Sequence, residues 1–425
     1  MSLECGETRP AGEGDGETGE HTSSRKTIPK AALVLSAALL VMRSAQTFYV
    51  PILPLYIRIL DASIPLFVVG MVTGVHRLGA VFVNPVAGRW CDRIGYIRPF
   101  LIGVIGMSLA CMLASMAFKA GDLTLYLAIS GAGYATVTIS ALAYVTTVTT
   151  TGNRATAMGL LSASGLAGAA IGPLPGGFIA DAFSPPVLGY RATFLCGGLV
   201  VLVGGISAFI FIRRWRGNPQ SVAISKPSFQ AVFRNRGLLI TCAADLLYCV
   251  SHGAFLYFTV PLLGDEMGLT AARIGWIISG FGIGHATGAL ILGPLSDRVG
   301  RRKPFVFGAI FGLGMIILLL SQLGTALLSS TATFAIGFVA SPCCGIVPAL
   351  AAELLPGAPS TAISVQKSSE QLGVFLGPMV GGALIGAFGY RNALIGYSAI
   401  ALLGSLMFLF GVTEPNQYRV ERKGR

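Results

Sequence analysis

A few ionisable side chains lie deep within long apolar stretches of this 425-residue sequence, and any chemistry the chain performs starts with them. A charge at mid-bilayer depth costs about 2.5–3.5 kcal/mol on insertion scales, so such a residue is a functional candidate by default. Arg43 stands about twelve residues into the first apolar run, about 18 Å along a helix rising 1.5 Å per residue. Gln46, Thr47 and Val50 share its face. This group can contact an anionic or polar part of a ligand, or form an internal ion pair. His76 and Arg77 are at similar depth in the second run. Neighbours diverge by about 100° on a helix, so Arg77 is the favoured contact of the two. In the seventh run Asp245, Tyr248 and His252 form one polar stripe at i, i+3 and i+7, and an acid with a histidine can bind and release a proton. In the eleventh run Glu370 can carry a proton if it faces a cavity. Lys367 lies one turn earlier and neutralises it if the two pair, in which case Glu370 is structural. His285 is a lone histidine on an apolar face and reads as core.

Other chemistries are missing. No G-x-x-x-x-G-K-[ST] motif for nucleotide phosphates and no metal-ligand spacing occurs. The eight cysteines lie in or beside apolar runs, Cys5 excepted, and read as small core residues. No cofactor, metal or enzymatic nucleophile cluster is expected, and no nucleic acid partner.

Helices that cross a membrane must position these groups. The chain is 53% hydrophobic and 11% charged, against about 25% charged for a soluble protein. Residues 1–24 are an acidic, nearly apolar-free tail expected to be disordered. Twelve apolar runs follow, near 31–58, 65–87, 99–118, 123–148, 155–181, 191–212, 237–263, 273–295, 304–322, 326–350, 361–387 and 391–412. Each approaches the ~20 residues a spanning helix needs, and none alternates with period two as a barrel strand does. With the N-terminus inside, inner segments hold 21 Lys and Arg and outer segments five, which places both termini in the cytoplasm.

The chain is also a duplication. Gly168-x-x-x-Gly172-Pro173-x-x-Gly176-Gly177 returns 205 residues later as Gly373-x-x-x-Gly377-Pro378-x-x-Gly381-Gly382. Gly88-x-x-x-Asp92-Arg93-x-Gly95 returns at the same offset as Gly293-x-x-x-Asp297-Arg298-x-Gly300. Two unlike motifs displaced by one distance fix a repeat. Gly189-Tyr190-Arg191 pairs with Gly389-Tyr390-Arg391, and Val50-Pro51 with Val260-Pro261. The boundaries are then a bundle over 25–212, a basic linker over 213–236, a second bundle over 237–412 and a basic tail over 413–425. The glycines, four apart on one stripe, let helices approach closely, and the prolines add a bend.

Two six-helix halves, inside termini and these loop and glycine motifs resemble the major facilitator superfamily. The resemblance covers about 390 residues and is specific for fold and transport. It implies twelve transmembrane helices in two pseudo-symmetric six-helix bundles, an all-α membrane protein. It also implies a gate: Asp92, beside Arg93, latches onto helix eleven, and Asp297, beside Arg298, onto helix five. The stretch from Gly168 through Gly172 and Pro173, with its twin through Gly373, Gly377 and Pro378, resembles the antiporter signature of the drug:proton exporters and implies a dry pivot. One feature departs from that group. Leu125 to Gly131 carries no base where those exporters usually have a helix-four arginine.

The expected function is secondary active transport by alternating access, with proton-coupled efflux of small organic molecules leading. Arg43, Gln46, Arg77, Tyr248 and His252 are the expected substrate contacts, and Asp245 and Glu370 the proton sites. Transport of organic anions or lipid-like molecules, or uniport without protons, is the alternative. The expected setting is the plasma (inner) membrane, with a lipid bilayer, protons and a small-molecule substrate as partners, and a monomer.

Overall fold

The structure, a computed structural model, describes residues 30–149, 154–214, 229–323 and 329–414. The N-terminal tail, the linker between 215 and 228 and the last eleven positions lie outside the described residues. The elements are α1 (Lys30–Gln46), α2 (Leu53–Leu60), α3 (Leu66–Ile94), α4 (Ile97–Ser115), α5 (Ala120–Val148), α6 (Arg154–Ile171), α7 (Pro173–Asp181) and α8 (Pro186–Arg214). Then come α9 (Phe229–Arg234), α10 (Arg236–Ala254), a π-turn (Phe255–Thr259), α11 (Val260–Glu266), α12 (Ala271–Val299), α13 (Lys303–Leu323), α14 (Ser330–Ala340), α15 (Pro342–Leu354) and α16 (Pro359–Gly411). The described residues contain no strand.

The sixteen helices among the described residues reduce to twelve spans because several spans are broken. The breaks follow proline, which has no N–H to give the carbonyl four residues back. The repeated Val-Pro dipeptide marks one in each bundle. The first span stops at Gln46 and restarts at Leu53 around Val50-Pro51. The seventh loosens into the π-turn just before Val260-Pro261. Ser341-Pro342 divides α14 from α15. At the repeated glycine–proline motif the interruption is slight, since Gly172 keeps helical torsions (φ −57, ψ −38) and Pro378 lies inside an unbroken helix. Spans eleven and twelve are two helices that follow one another directly within α16, separated by a sharp turn at the non-helical Gly389 (φ 75).

The paired glycines 189 and 389 do different work. Gly389 supplies a left-handed backbone that a Cβ disfavours. Gly189 has no positive φ; instead a Cβ there would lie 1.9 Å from the Ala180 carbonyl oxygen, so it lets α8 close on α7.

The exterior is apolar. Phe410 is 83%, Leu290 77% and Phe118 76% exposed, which only hydrocarbon surroundings make acceptable. Within each bundle the glycine stripe sets close contacts between spans. A Cβ on Gly168, Gly172 or Gly176 would meet Leu40 O, Thr47 Oγ1 or Phe48 O of the first span at 2.3, 2.0 and 2.0 Å. One on Gly373 or Gly377 would meet Leu246 O or Val250 O of α10 at 2.6 and 2.7 Å. The stripe therefore clamps span five on span one, and span eleven on span seven, inside the same bundle.

The contact between bundles uses other glycines. Cβ atoms on Gly70 and Gly74 of α3 would lie 1.9 and 2.4 Å from the carbonyls of Pro378 and Phe375 on α16. Those on Gly275 and Gly282 of α12 would strike Pro173 O (2.3 Å) and the Ala170 Cβ (2.3 Å). From the repeated motif the prolines reach across by their carbonyls, and its last glycines do so directly: a Cβ on Gly177 would lie 2.4 Å from Ala271 O, and one on Gly382 2.1 Å from Leu66 O.

Candidate functional site

The α3–α16 and α12–α7 approaches close one end of the molecule, the end bearing the turns before α8 and α12. Asp181, the last residue of α7, reinforces this closure. Its carboxylate accepts the backbone N–H groups of Ala271 (2.9 Å) and Ala272 (2.8 Å), the unsatisfied donors at the start of α12. At the other end, a methyl group placed on Gly88 or Gly293 would meet nothing within 4 Å. Asp297 there is 67% exposed; its ion pair is with Arg302 (3.3 Å) of its own bundle. Arg302 also binds Glu353 (2.6 Å), and its backbone N–H donates to Glu414 (2.6 Å). Arg93 and Arg298 are exposed, and the side chain of Asp92 lies outside the described residues. The residues just before helix five, the expected partner of Asp297 in the latch, lie outside the described residues.

Between the bundles lies a narrow cleft with a free volume of about 50 Å³, so in this conformation it is closed down below the usual size of a small-molecule site. It is lined by Arg43, Gln46, His76 and Arg77 from one bundle and by Tyr257, Val374 and Pro378 from the other, among others. Three of the five expected substrate contacts, Arg43, Gln46 and Arg77, meet here. The Arg43 guanidinium donates to Gln46 Oε1 one helical turn on and lies 4.2 Å over the Tyr134 ring of α5. Gln46 Nε2 lies 2.9 Å from His76 Nε2. Arg77 bonds Gln371 Oε1 of α16 at 3.4 Å, a link between bundles, and its guanidinium lies 5.8 Å over Tyr257. Among the described residues neither arginine has a carboxylate within ion-pair distance. Gly131 makes this assembly possible: a Cβ there would lie 1.9 Å from the His76 carbonyl oxygen, so α5 closes on α3 at this level.

Tyr248 and His252 stack together on α10 (centroids 6.0 Å) but do not line that space. His252 stacks on Phe281 of α12 at 4.6 Å, and Phe281 meets His285 at 5.6 Å. Asp245 is buried and accepts a 2.8 Å hydrogen bond from Gln366 Nε2 of α16. Glu370 is closed on Lys367 at 2.6 Å, the pairing that makes it structural in this conformation. The five residues expected to bind substrate therefore fall into two groups. Sequence reasoning did not select Tyr134, Tyr257, Gln366, Gln371 or Asp181. The two glutamines were visible as polar residues in an apolar run, whereas the tyrosines gain meaning only from the arginines placed over them.

Twelve helical spans in two bundles, packed about a central space with unneutralised cations, define a polytopic membrane transporter. The family model of the Major Facilitator Superfamily matches residues 35–260 and again 241–425, and the chain belongs to that superfamily. Relatives include the "Multi-drug resistance efflux pump PmrA" of Streptococcus pneumoniae, 25% identical over 356 residues, covering 80% of this chain and 86% of that protein. The "Fosmidomycin resistance protein" of Escherichia coli is 26% identical over 306 residues, covering 70% and 72%. Among solved structures, a bacterial homolog to the human lysosomal transporter Spinster, inward-facing and occupied, matches with TM-score 0.76 at 16% identity, covering 89% and 96%. A D-xylose-proton symporter matches with TM-score 0.73 at 15% identity, covering 90% and 98%.

Proposed function

We propose that this transporter exports small organic molecules bearing an anionic group, by alternating access coupled to protons. The observation that carries the reading is the pair Arg43 and Arg77, two membrane-embedded cations without a carboxylate partner among the described residues, on the wall of one interbundle space. Left uncompensated, a buried charge is expensive; an anionic cargo compensates it. The efflux pumps among the relatives support the direction. Asp245 carries the proton in this reading, because it is buried with a neutral hydrogen-bond partner, while Glu370 serves Lys367. The open end, bearing the two signature loops, faces the cytoplasm, as do both termini, and the protein works as a monomer in the plasma (inner) membrane.

The test is a proteoliposome assay with a pH-sensitive dye inside, to which aromatic sulfonates and carboxylates are added. The wild type moves protons on addition of cargo. Arg43→Ala lowers transport at least tenfold. Asp245→Asn keeps the Gln366 contact but cannot titrate, so it retains exchange of cargo between the two sides and loses accumulation driven by a pH gradient. Full pH-driven transport by both variants overturns the reading.

A further inference from the structure

The hydrogen bonds around Gln46 have only one consistent polarity. An arginine has donors and no acceptor, so the atom of Gln46 facing Arg43 is its carbonyl oxygen. The amide nitrogen, also a donor only, therefore faces His76 Nε2 at 2.9 Å, and that ring nitrogen accepts. His76 is neutral in this conformation, with its proton on Nδ1. Gln46 is 1% and His76 6% exposed, so water cannot replace a lost partner cheaply.

Protonation of His76 turns Nε2 into a donor and opposes it to the Gln46 amide N–H. The contact is restored only if the Gln46 amide turns over and offers its oxygen to the imidazolium. That oxygen then leaves Arg43. We propose that Arg43, Gln46 and His76 form a proton-linked anion subsite, in which a proton on His76 releases the Arg43 guanidinium from Gln46 to bind an organic anion. The binding of the anion and of the proton are then mutually favourable, since linkage is reciprocal. The charges agree with this sign. His76 faces Arg43 on α1 and Arg77 on its own helix, with the Tyr134 ring of α5 at 6.0 Å. Across the space are Tyr257 of the π-turn and, on α16, Glu370 closed on Lys367. An anion placed among the two arginines offsets the repulsion that otherwise resists a third positive charge. The subsite accounts for a polar chain of three residues where one arginine would suffice to bind an anion.

The inference rests on the reading of Arg43 and Arg77 as an anion site, and the experiment separates the two. Benzenesulfonate is the probe, because a sulfonate stays ionised throughout and any pH dependence belongs to the protein. Its binding to the purified full chain is measured by titration calorimetry between about pH 8 and about pH 6, where histidine titrates, in buffers of unlike ionisation heat. The wild type takes up close to one proton per anion and binds up to about tenfold tighter per pH unit of acidification. His76→Gln presents a permanent neutral acceptor to Gln46, so it binds weakly at both pH values and takes up no proton. Gln46→Ala removes the clamp, so its affinity at high pH rises towards that of the wild type at low pH. This second variant decides the matter alone if His76→Gln does not fold. Binding without proton uptake in the wild type, uptake that survives in His76→Gln, or Gln46→Ala with wild-type affinity at high pH overturns the subsite while leaving the anion site standing. Arg43→Ala and Arg77→Ala both binding like wild type overturns the anion site itself.

Discussion

Lys367 and Glu370 illustrate how a single distance changes the meaning of a residue. As an isolated carboxylate one helical turn from the middle of span eleven, Glu370 reads as a proton carrier. Joined to Lys367 at 2.6 Å it is half of a compensated pair. The pair is only part-buried, so it contributes little by itself, about 1 kcal/mol, but each partner strands the other when removed. We expect Lys367→Met and Glu370→Met to lower the thermal midpoint individually, and the double variant to recover most of the loss; additive losses in detergent melting curves contradict the pairing. The same logic runs through the first bundle. The missing helix-four base is not replaced on span four, but Arg43 of span one lies over that span's Tyr134, so positive charge reaches the level of the site from another helix.

At the scale of elements, two kinds of glycine contact are superimposed on the same helices. Gly172 belongs to the permanent clamp of span five on span one; a Cβ there would lie 2.0 Å from Thr47 Oγ1. Gly70 belongs to a contact between bundles that alternating access must open, against Pro378 O at 1.9 Å. The two therefore respond differently to valine. Gly172→Val is expected to damage folding, seen as lost expression and a lowered melting point. Gly70→Val is expected to fold and to favour the state in which α3 and α16 are apart. Asp181→Ala acts in the same direction on the α7–α12 contact. Losing a cap of this kind costs about 1–2 kcal/mol, which shifts the population about five- to thirtyfold. Distances between spin labels on α3 and α16, and on α7 and α12, check both variants; an unchanged distribution refutes the assignment of these contacts to the moving interface. Gly386, the residue 205 positions after Asp181, has no side chain to cap α3, so the acid latch is one-sided despite the repeat.

At the scale of the whole molecule, sidedness is the claim to test first. Asn218→Cys lies in the basic linker and Glu266→Cys at the end of α11, on the closed side. In a background without reactive cysteines, a membrane-impermeant maleimide should label position 218 only in inside-out vesicles and position 266 only in intact cells. The reverse pattern places the signature loops outside and inverts the transport direction. Most of the architecture was legible beforehand. Composition demanded a bilayer, run length demanded helices, and two motifs at one offset demanded two bundles, because each of these follows from local residue types or from spacing along the chain. The polar candidates were legible for the same reason: a charge in an apolar run stands out wherever it faces. What sequence could not supply was partnership. Arg43 could have met a carboxylate and met Gln46 and Tyr134. Asp245 met Gln366, which lies 121 positions away. The glycine stripe at 168, 172 and 176, with its twin, proved to hold bundles together internally, while Gly70, Gly275, Gly282 and the motif's last glycines, Gly177 and Gly382, carry the approach between them. Such pairings depend on how each helix is rotated and which neighbour it packs against, and only the folded bundle decides those.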